Sequence, residues 1–360
     1  MTINYSTIDN LCRQVELLNQ DELSILLSKL DRTSRDRLQT EIFDSLSQNT
    51  NNGIEYCPYC GGIRINKKGK AHGTQRYICR DCNKTFTSTK NSIFYHFRKD
   101  YEPKFKKFIE CMVNRLTLIR SAEISGITLM CSWNWRHKIM NVIDKFFEND
   151  QLTGLIEMDE TFFSKCFKGN HKHFQLPRKA RHRGFSHWVC DPAGIGKHKV
   201  CVSTSVGRNK GVLNHILGCG NPNSELIVNA YKNKIIKTEQ TKLIIDGAGW
   251  SCLAAKQMNI QYKQLVKKGK NPNDHSPVVK GKYHLQNVNN YHSQIKGLLN
   301  QTFKGVATKY LERYLNLVKW LRINNNGFNV SVQAMLTMCV TVSRNMINTQ
   351  IRTMNILTLN

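Results

Sequence analysis

Leu155-Ile156-Glu157-Met158-Asp159, Lys199-Val200-Cys201-Val202-Ser203 and Lys242-Leu243-Ile244-Ile245-Asp246 are short, largely apolar runs of strand length, separated by loops and helical stretches. Together they predict a mixed α/β domain over residues 150–325. The first and third runs both close on an aspartate. An acid at a strand end escapes burial while its backbone stays rigidly placed, so Asp159 and Asp246 are candidates for a paired carboxylate site. Strand-end acids are also common in loops and caps, so the pair alone leaves a structural role open.

Upstream of this domain the texture differs. Residues 1–50 carry apolar positions at helical spacing (Leu11, Val15, Leu18, then Leu23, Leu26, Leu27, Leu30) and predict a helical N-terminal segment, followed by a polar linker over 47–53. Within 54–90, Cys57-Pro58-Tyr59-Cys60 and Cys79-Arg80-Asp81-Cys82 form two Cys-x-x-Cys knuckles. Four thiolates turned to one point make a closed tetrahedral Zn2+ site that holds structure and has no open position for chemistry. Glycines and short strand-like runs around the knuckles suit a small metal-stapled zinc ribbon. Its basic loop, Arg64, Lys67, Lys68 and Lys70, is either a phosphate-contacting surface or a solvated one.

Residues 100–148 return to helical spacing, with Phe105, Phe108, Ile109 and Met112 on one face. Ser121 to Thr128 places a short helix, a glycine turn at Gly126 and a Thr cap before a longer helix, the punctuation of a helix-turn-helix. Trp135, Arg136 and Lys138 fall on that second helix and are candidate DNA contacts, although Trp133 and Trp135 could equally belong to the core. Residues 326–360 read as a C-terminal helical tail.

The chain has 360 residues, 53 Lys and Arg against 26 Asp and Glu, and a formal charge of +27. That sign and size attract phosphate backbones, and the charge is spread over several segments rather than gathered in a tail, so double-stranded DNA is the leading partner class. No apolar stretch approaches the roughly 20 residues needed to cross a bilayer and no signal region opens the chain, which predicts a protein without membrane contact, in the cytoplasm. Of thirteen cysteines, four lie in the knuckles and the others are scattered, many in apolar surroundings, so disulfides are not expected.

After Asp246, Asn289, His292 and Lys296 share one face of a predicted helix through spacings of three and four. Two acids with such a helix could hold divalent metal of the kind that cuts phosphodiesters, where two ions about 3.5 to 4 Å apart activate the nucleophile and neutralise the leaving oxygen. The knuckles, Trp135-Arg136-His137-Lys138, Asp159-Glu160-Thr161-Phe162, Ile245-Asp246 and the stretch from His292-Ser293 to Tyr310-Leu311 resemble a zinc-ribbon insertion-sequence transposase of the subgroup whose triad reads Asp-Asp-Asn.

The resemblance spans about residues 56–320. It implies a multidomain α+β protein: helical N-terminal segment, zinc ribbon, helix-turn-helix, then an RNase H-like catalytic domain with a mixed sheet flanked by helices. It implies Asp159, Asp246 and Asn289 as ligands of catalytic Mg2+ or Mn2+, Lys296 at a phosphate beside the scissile bond, and His292 as an ordering or proton-donating group, a packing role for His292 being the alternative. Arg178, Arg181 and Arg183 would hold a strand-connecting loop against DNA, or simply be solvated. The implied activity is binding of terminal inverted repeats, cleavage and strand transfer by a homodimer or higher oligomer. A non-catalytic DNA-binding regulator and an inactivated transposase relic are the competing readings. Two departures stand out: Asn289 contributes no negative charge where Glu is commoner, with Glu160, His292 or His284 available to assist, and residues 187–194 look inserted.

Overall fold

The computed structural model describes residues 54, 56–71, 74–97, 100–168, 199–266, 279–325, 327–342 and 348–352. In chain order these form strands β1 (Ile65–Ala71), β2 (Thr74–Cys79) and β3 (Thr85–Thr87), and helices α1 (Tyr101–Val113), α2 (Leu118–Ser125) and α3 (Leu129–Phe146). Then come β4 (Leu155–Ser164), β5 (Lys199–Gly207), β6 (Val212–Cys219), α4 (Ser224–Tyr231), β7 (Lys242–Ile245), α5 (Gly249–Gln257) and β8 (Gln261–Gln264). Helices α6 (Gln286–Lys296), α7 (Leu311–Ile323), α8 (Phe328–Thr341) and α9 (Asn348–Arg352) complete the chain, with a π-helical turn at Gly297–Thr302 directly after α6. The chain divides into two units, Met1–Val142 with Asn324–Asn345 and Ile143–Ile323 with Met346–Asn360. The architecture is α+β.

In the first unit β1, β2 and β3 form an antiparallel sheet in that order, with Ile65 opposite Cys79 and Tyr77 opposite Phe86. Cys57, Tyr77, Cys79 and Phe86 make its small core, in which the Tyr77 and Phe86 rings stack. Further along, the apolar stripe Phe105, Phe108, Ile109 and Met112 is buried along α1. Helix α2 is capped by Thr117, whose side chain accepts from the Arg120 N–H, and it ends at Gly126 with φ +62°, the left-handed conformation that glycine adopts without steric cost. Thr128 then accepts from the Cys131 N–H and opens α3. Helix α8 packs against α1 in this same unit, so the 326–360 stretch does not run as one tail: its α8 part buries Val332, Met335 and Leu336, while α9 docks in the second unit through Tyr310 to the Ile351 carbonyl.

Trp135, Arg136 and Lys138, expected as DNA contacts, are buried within the first unit. The Trp135 indole is 6% exposed and packs on the rings of Phe97, Phe105 and Phe108, with centroids 5.0 to 5.5 Å away. Arg136, 2% exposed, donates through a terminal nitrogen to the Leu116 carbonyl at 2.6 Å. Lys138 donates to the carbonyls of Ile93 and Tyr95, and burial pulls its ammonium down to about 8. These cations satisfy loop carbonyls that would otherwise be buried without partners. Beside the turn of this helical pair, Arg120, Ile124, Leu129 and Met130 are exposed.

The second unit is built on a five-stranded mixed sheet of order β6-β5-β4-β7-β8. Strands β4, β5 and β6 pair antiparallel, while β7 and β8 run parallel to β4 and to each other. On one face α4 and α5 cover Ile156, Met158, Leu243 and Ile245 in a core with Tyr231 and Ala254. On the opposite face α6 lies across β4 and β5. Tyr291 ties α6 down, its hydroxyl accepting from Asn214 on β6 and donating to the Leu315 carbonyl on α7.

Replacing Trp135 by Ala should destabilise the first unit by about 3 to 5 kcal/mol, the usual cost of an emptied aromatic site. Urea unfolding followed by tryptophan-independent circular dichroism measures this; a loss of DNA affinity at unchanged stability would instead restore the indole to a DNA surface.

Candidate metal centres

The knuckle cysteines converge in the first unit. Their four sulfurs lie within 4.8 Å of one another, with Cys57 3.6 Å from Cys82 and Cys60 3.7 Å from Cys79. Backbone N–H groups of Tyr59 and Asp81 point at the Cys57 and Cys79 sulfurs, at 3.4 and 3.3 Å, which stabilises thiolate charge and holds each knuckle in shape. Gly62 permits a close approach, since a Cβ there would meet the Asp81 carboxylate at 2.1 Å. Four soft donors at this spacing could hold a metal ion, and the set suits Zn2+. Arg64, Lys67, Lys68 and Lys70 are exposed on and beside β1, and Arg64 pairs with Asp81.

The carboxylate site lies on the α6 face of the second sheet. Ile156, Glu157 and Met158 on β4 pair with Leu243, Ile244 and Ile245 on β7 in parallel register. Asp246 directly follows β7, whereas Asp159 lies within β4 rather than at the strand end expected from the sequence; the two are therefore level on adjacent strands. Side-chain alternation puts both on the face of Glu157 and Ile244, under α6, opposite the apolar core. Asp159 accepts from the Glu160 N–H at 2.8 Å and Asp246 from the Ala248 N–H at 2.9 Å, which fixes one oxygen of each.

Burial, and then the neighbouring Asp246, push the Asp159 carboxyl up to about 6, partly offset by the Glu160 N–H and by Lys296. Two half-buried acids that repel one another are relieved by a shared cation, so the donor set fits a hard divalent ion. Helix α6 supplies the rest of the rim. His292 is 6% exposed, with Nδ1 3.7 Å from the Asp159 carboxylate, too far for a hydrogen bond. Burial, with Lys296 nearby, pulls this imidazole down to about 4, so at neutral pH it stands beside Asp159 uncharged. Asn289 and Lys296 are exposed on the same helix.

Two groups expected to assist the metal are engaged elsewhere. Glu160 alternates to the other face, where its carboxylate accepts from the Trp250 indole N–H at 3.1 Å and from Ser251 and Ser203. Burial raises it to about 7. His284 sits at the start of α6, its Nδ1 3.4 Å from Glu157. Arg178, Arg181, Arg183 and the segment 187–194 lie outside the described residues, as does the helical segment expected over 1–50. The sequence reading passed over Glu157 and Arg208. Its signal was present, since a charge inside the apolar run Leu155 to Met158 must find partners when the strand is buried.

Residues 151–324 match the family described as the ISXO2-like transposase domain. An uncharacterised protein in transposable element ISH50 of Halobacterium salinarum is 26% identical over 137 residues, which is 38% of this chain and 44% of that relative. The chain thus spans less than half the length of that curated relative. Both matches support an insertion-sequence transposase. No helix among the described residues is long and apolar enough to cross a membrane.

Purified protein should hold one equivalent of zinc, released by mercurial titration of the four thiols with loss of the β1–β3 sheet; zinc retained in a Cys57→Ser, Cys82→Ser variant would contradict this assignment. At the acids the sign of the linkage is set by the raised Asp159 value. The native state keeps this proton while the unfolded chain loses it near 3.8, so metal-free stability falls as pH rises from about 4 to about 6. Asp159→Asn should therefore stabilise metal-free protein by about 3 kcal/mol at pH 8, with little difference at pH 4. Denaturation at the two pH values, without divalent ions, measures it.

Proposed function

We propose that this protein is a DNA transposase that binds the terminal inverted repeats of an insertion sequence and catalyses metal-dependent phosphodiester cleavage and strand transfer. The observation that carries the reading is the levelled pair Asp159 and Asp246 on the face roofed by α6, with the Asp159 carboxyl raised by burial and then by its neighbour. The strand order β6-β5-β4-β7-β8, with β5 antiparallel to its neighbours, supports an RNase H-like domain, and the matched transposase domain covers this same unit.

In this reading Asp159, Asp246 and the Asn289 carbonyl hold Mg2+ or Mn2+. The bound ions would activate water and then the freed 3′-hydroxyl and neutralise charge at the leaving oxygen. Lys296 contacts a phosphate beside the scissile bond. His292, uncharged at neutral pH, orders Asp159 through its ring and keeps water from that side of the carboxylate. The four-cysteine module acts as a zinc ribbon whose exposed Arg64, Lys67 and Lys68 track the duplex backbone, with the turn between α2 and α3 as a second DNA-facing edge. Arg178, Arg181 and Arg183 are proposed to contact DNA as well. Joining two element ends requires at least a dimer.

Incubated with DNA carrying the cognate terminal repeats, the protein should nick and join in Mg2+ or Mn2+ and should lose both steps in Asp159→Ala and Asp246→Ala. Asn289→Ala should lose strand transfer, while Asn289→Asp or Asn289→Glu retains metal-supported activity. Cleavage that survives in both aspartate variants would overturn the reading.

A further inference from the structure

The amino end of α6 has little capping of its own: the Gln286 N–H reaches His284 Nδ1 at 3.2 Å. Its N-cap residue, Leu285, offers no side-chain acceptor, and the first turn contains no acid. A helix start leaves its first N–H groups unsatisfied and carries partial positive charge. The next two N–H groups are met from across the sheet by Glu157 of β4, which is fully buried. One oxygen of this carboxylate accepts from the backbone N–H groups of Asn287 and Val288, at 2.8 and 3.1 Å. The other accepts from the Asn287 side-chain amide at 2.7 Å and lies 3.0 Å from an Arg208 nitrogen. Arg208 in turn touches His284 Nε2 at 2.8 Å and donates to the Lys282 carbonyl, binding the approach to α6 into the same cluster.

The placement of this clamp gives it consequence. Glu157 is two residues before Asp159 and on the same face of β4. The residues it grips, Asn287 and Val288, immediately precede Asn289. One carboxylate thus ties the strand that carries an acid of the site to the first turn of the helix that carries Asn289, His292 and Lys296. Tyr291 holds the middle of the helix but leaves the first turn to Glu157. We infer that Glu157 is a positioning residue: with Arg208 and His284 as its counter-groups, it sets the register of α6 over Asp159 and so places the third ligand and the phosphate-binding lysine. This rests on the metal-dependent nuclease reading for the meaning of the site, but the clamp itself is measurable without chemistry.

Glu157→Gln keeps the shape and a carbonyl acceptor while removing the charge that faces Arg208 and the helix start; Glu157→Asp keeps the charge but shortens the reach. Asn223→Ala, which removes the side-chain cap of α4 remote from the acids, serves as a stability control. Three measurements on the zinc-loaded full-length chain decide the matter. Amide exchange over 286–289 should quicken about tenfold in Glu157→Gln, with β7 amides unchanged. Mn2+ affinity, read by paramagnetic resonance, should fall about tenfold, as removal of outer-shell partners commonly does. The kcat for nicking should fall about tenfold or more at a KM for DNA within about twofold, with partial rescue in Glu157→Asp, and none of the three should move in Asn223→Ala.

Wild-type exchange at 286–289 together with wild-type Mn2+ affinity in Glu157→Gln would overturn the clamp. The same losses in Asn223→Ala would also overturn it, since general destabilisation then suffices. If the wild-type protein neither bound Mn2+ nor nicked DNA, the nuclease reading would fail, and amide exchange alone would still decide whether Glu157 holds α6.

Discussion

The parallel pairing of β4 with β7 is the constraint on which the site depends. Because Met158 faces Ile245, the next residue on each strand is an aspartate, and two like charges leave the sheet side by side. Their repulsion and partial burial oppose folding. The opposition is tolerated because the other face of the same strands is covered by Ile156, Met158, Leu243 and Ile245 packed under α4 and α5. Stability is thus supplied on one face of the sheet and given up on the other, the usual relation between a scaffold and a charged site.

Three acids on β4 illustrate how little sequence distance matters beside the side of the strand. Glu157 and Asp159 share a face, yet the first is fully buried and saturated with donors, while the second is half-buried with an oxygen left for a ligand. Glu160, adjacent to Asp159 in sequence, points the other way and spends its acceptors on Trp250, Ser251 and Ser203. Only Asp159 is both rigid and open.

In the first unit cations follow the same rule. Arg136 and Lys138 read as DNA contacts in a linear sequence, but both are buried and donate to loop carbonyls. Among the described residues, the cations of β1 stay in solvent because this three-stranded module has four buried residues in its core and no second layer over that strand. The cysteine cluster takes over the stabilisation that a larger core would supply.

The sequence by itself determined the elements whose signal is local. The two Cys-x-x-Cys knuckles announced a four-sulfur site, because each pair is closed by one tight turn. The strand runs that carry Asp159 and lead to Asp246, the α1 stripe of Phe105 to Met112, and the shared face of Asn289, His292 and Lys296 all follow from periods of two or 3.6 residues. Only the tertiary structure decided which of these meet. It levelled Asp159 with Asp246 through a register that no local period encodes, and it enclosed Trp135, Arg136 and Lys138. It also made Glu157, across 130 residues of chain, the acceptor for the Asn287 and Val288 N–H groups at the start of α6. Strand register, burial and long-range capping arise from contacts between distant segments, and a linear pattern carries no term for them.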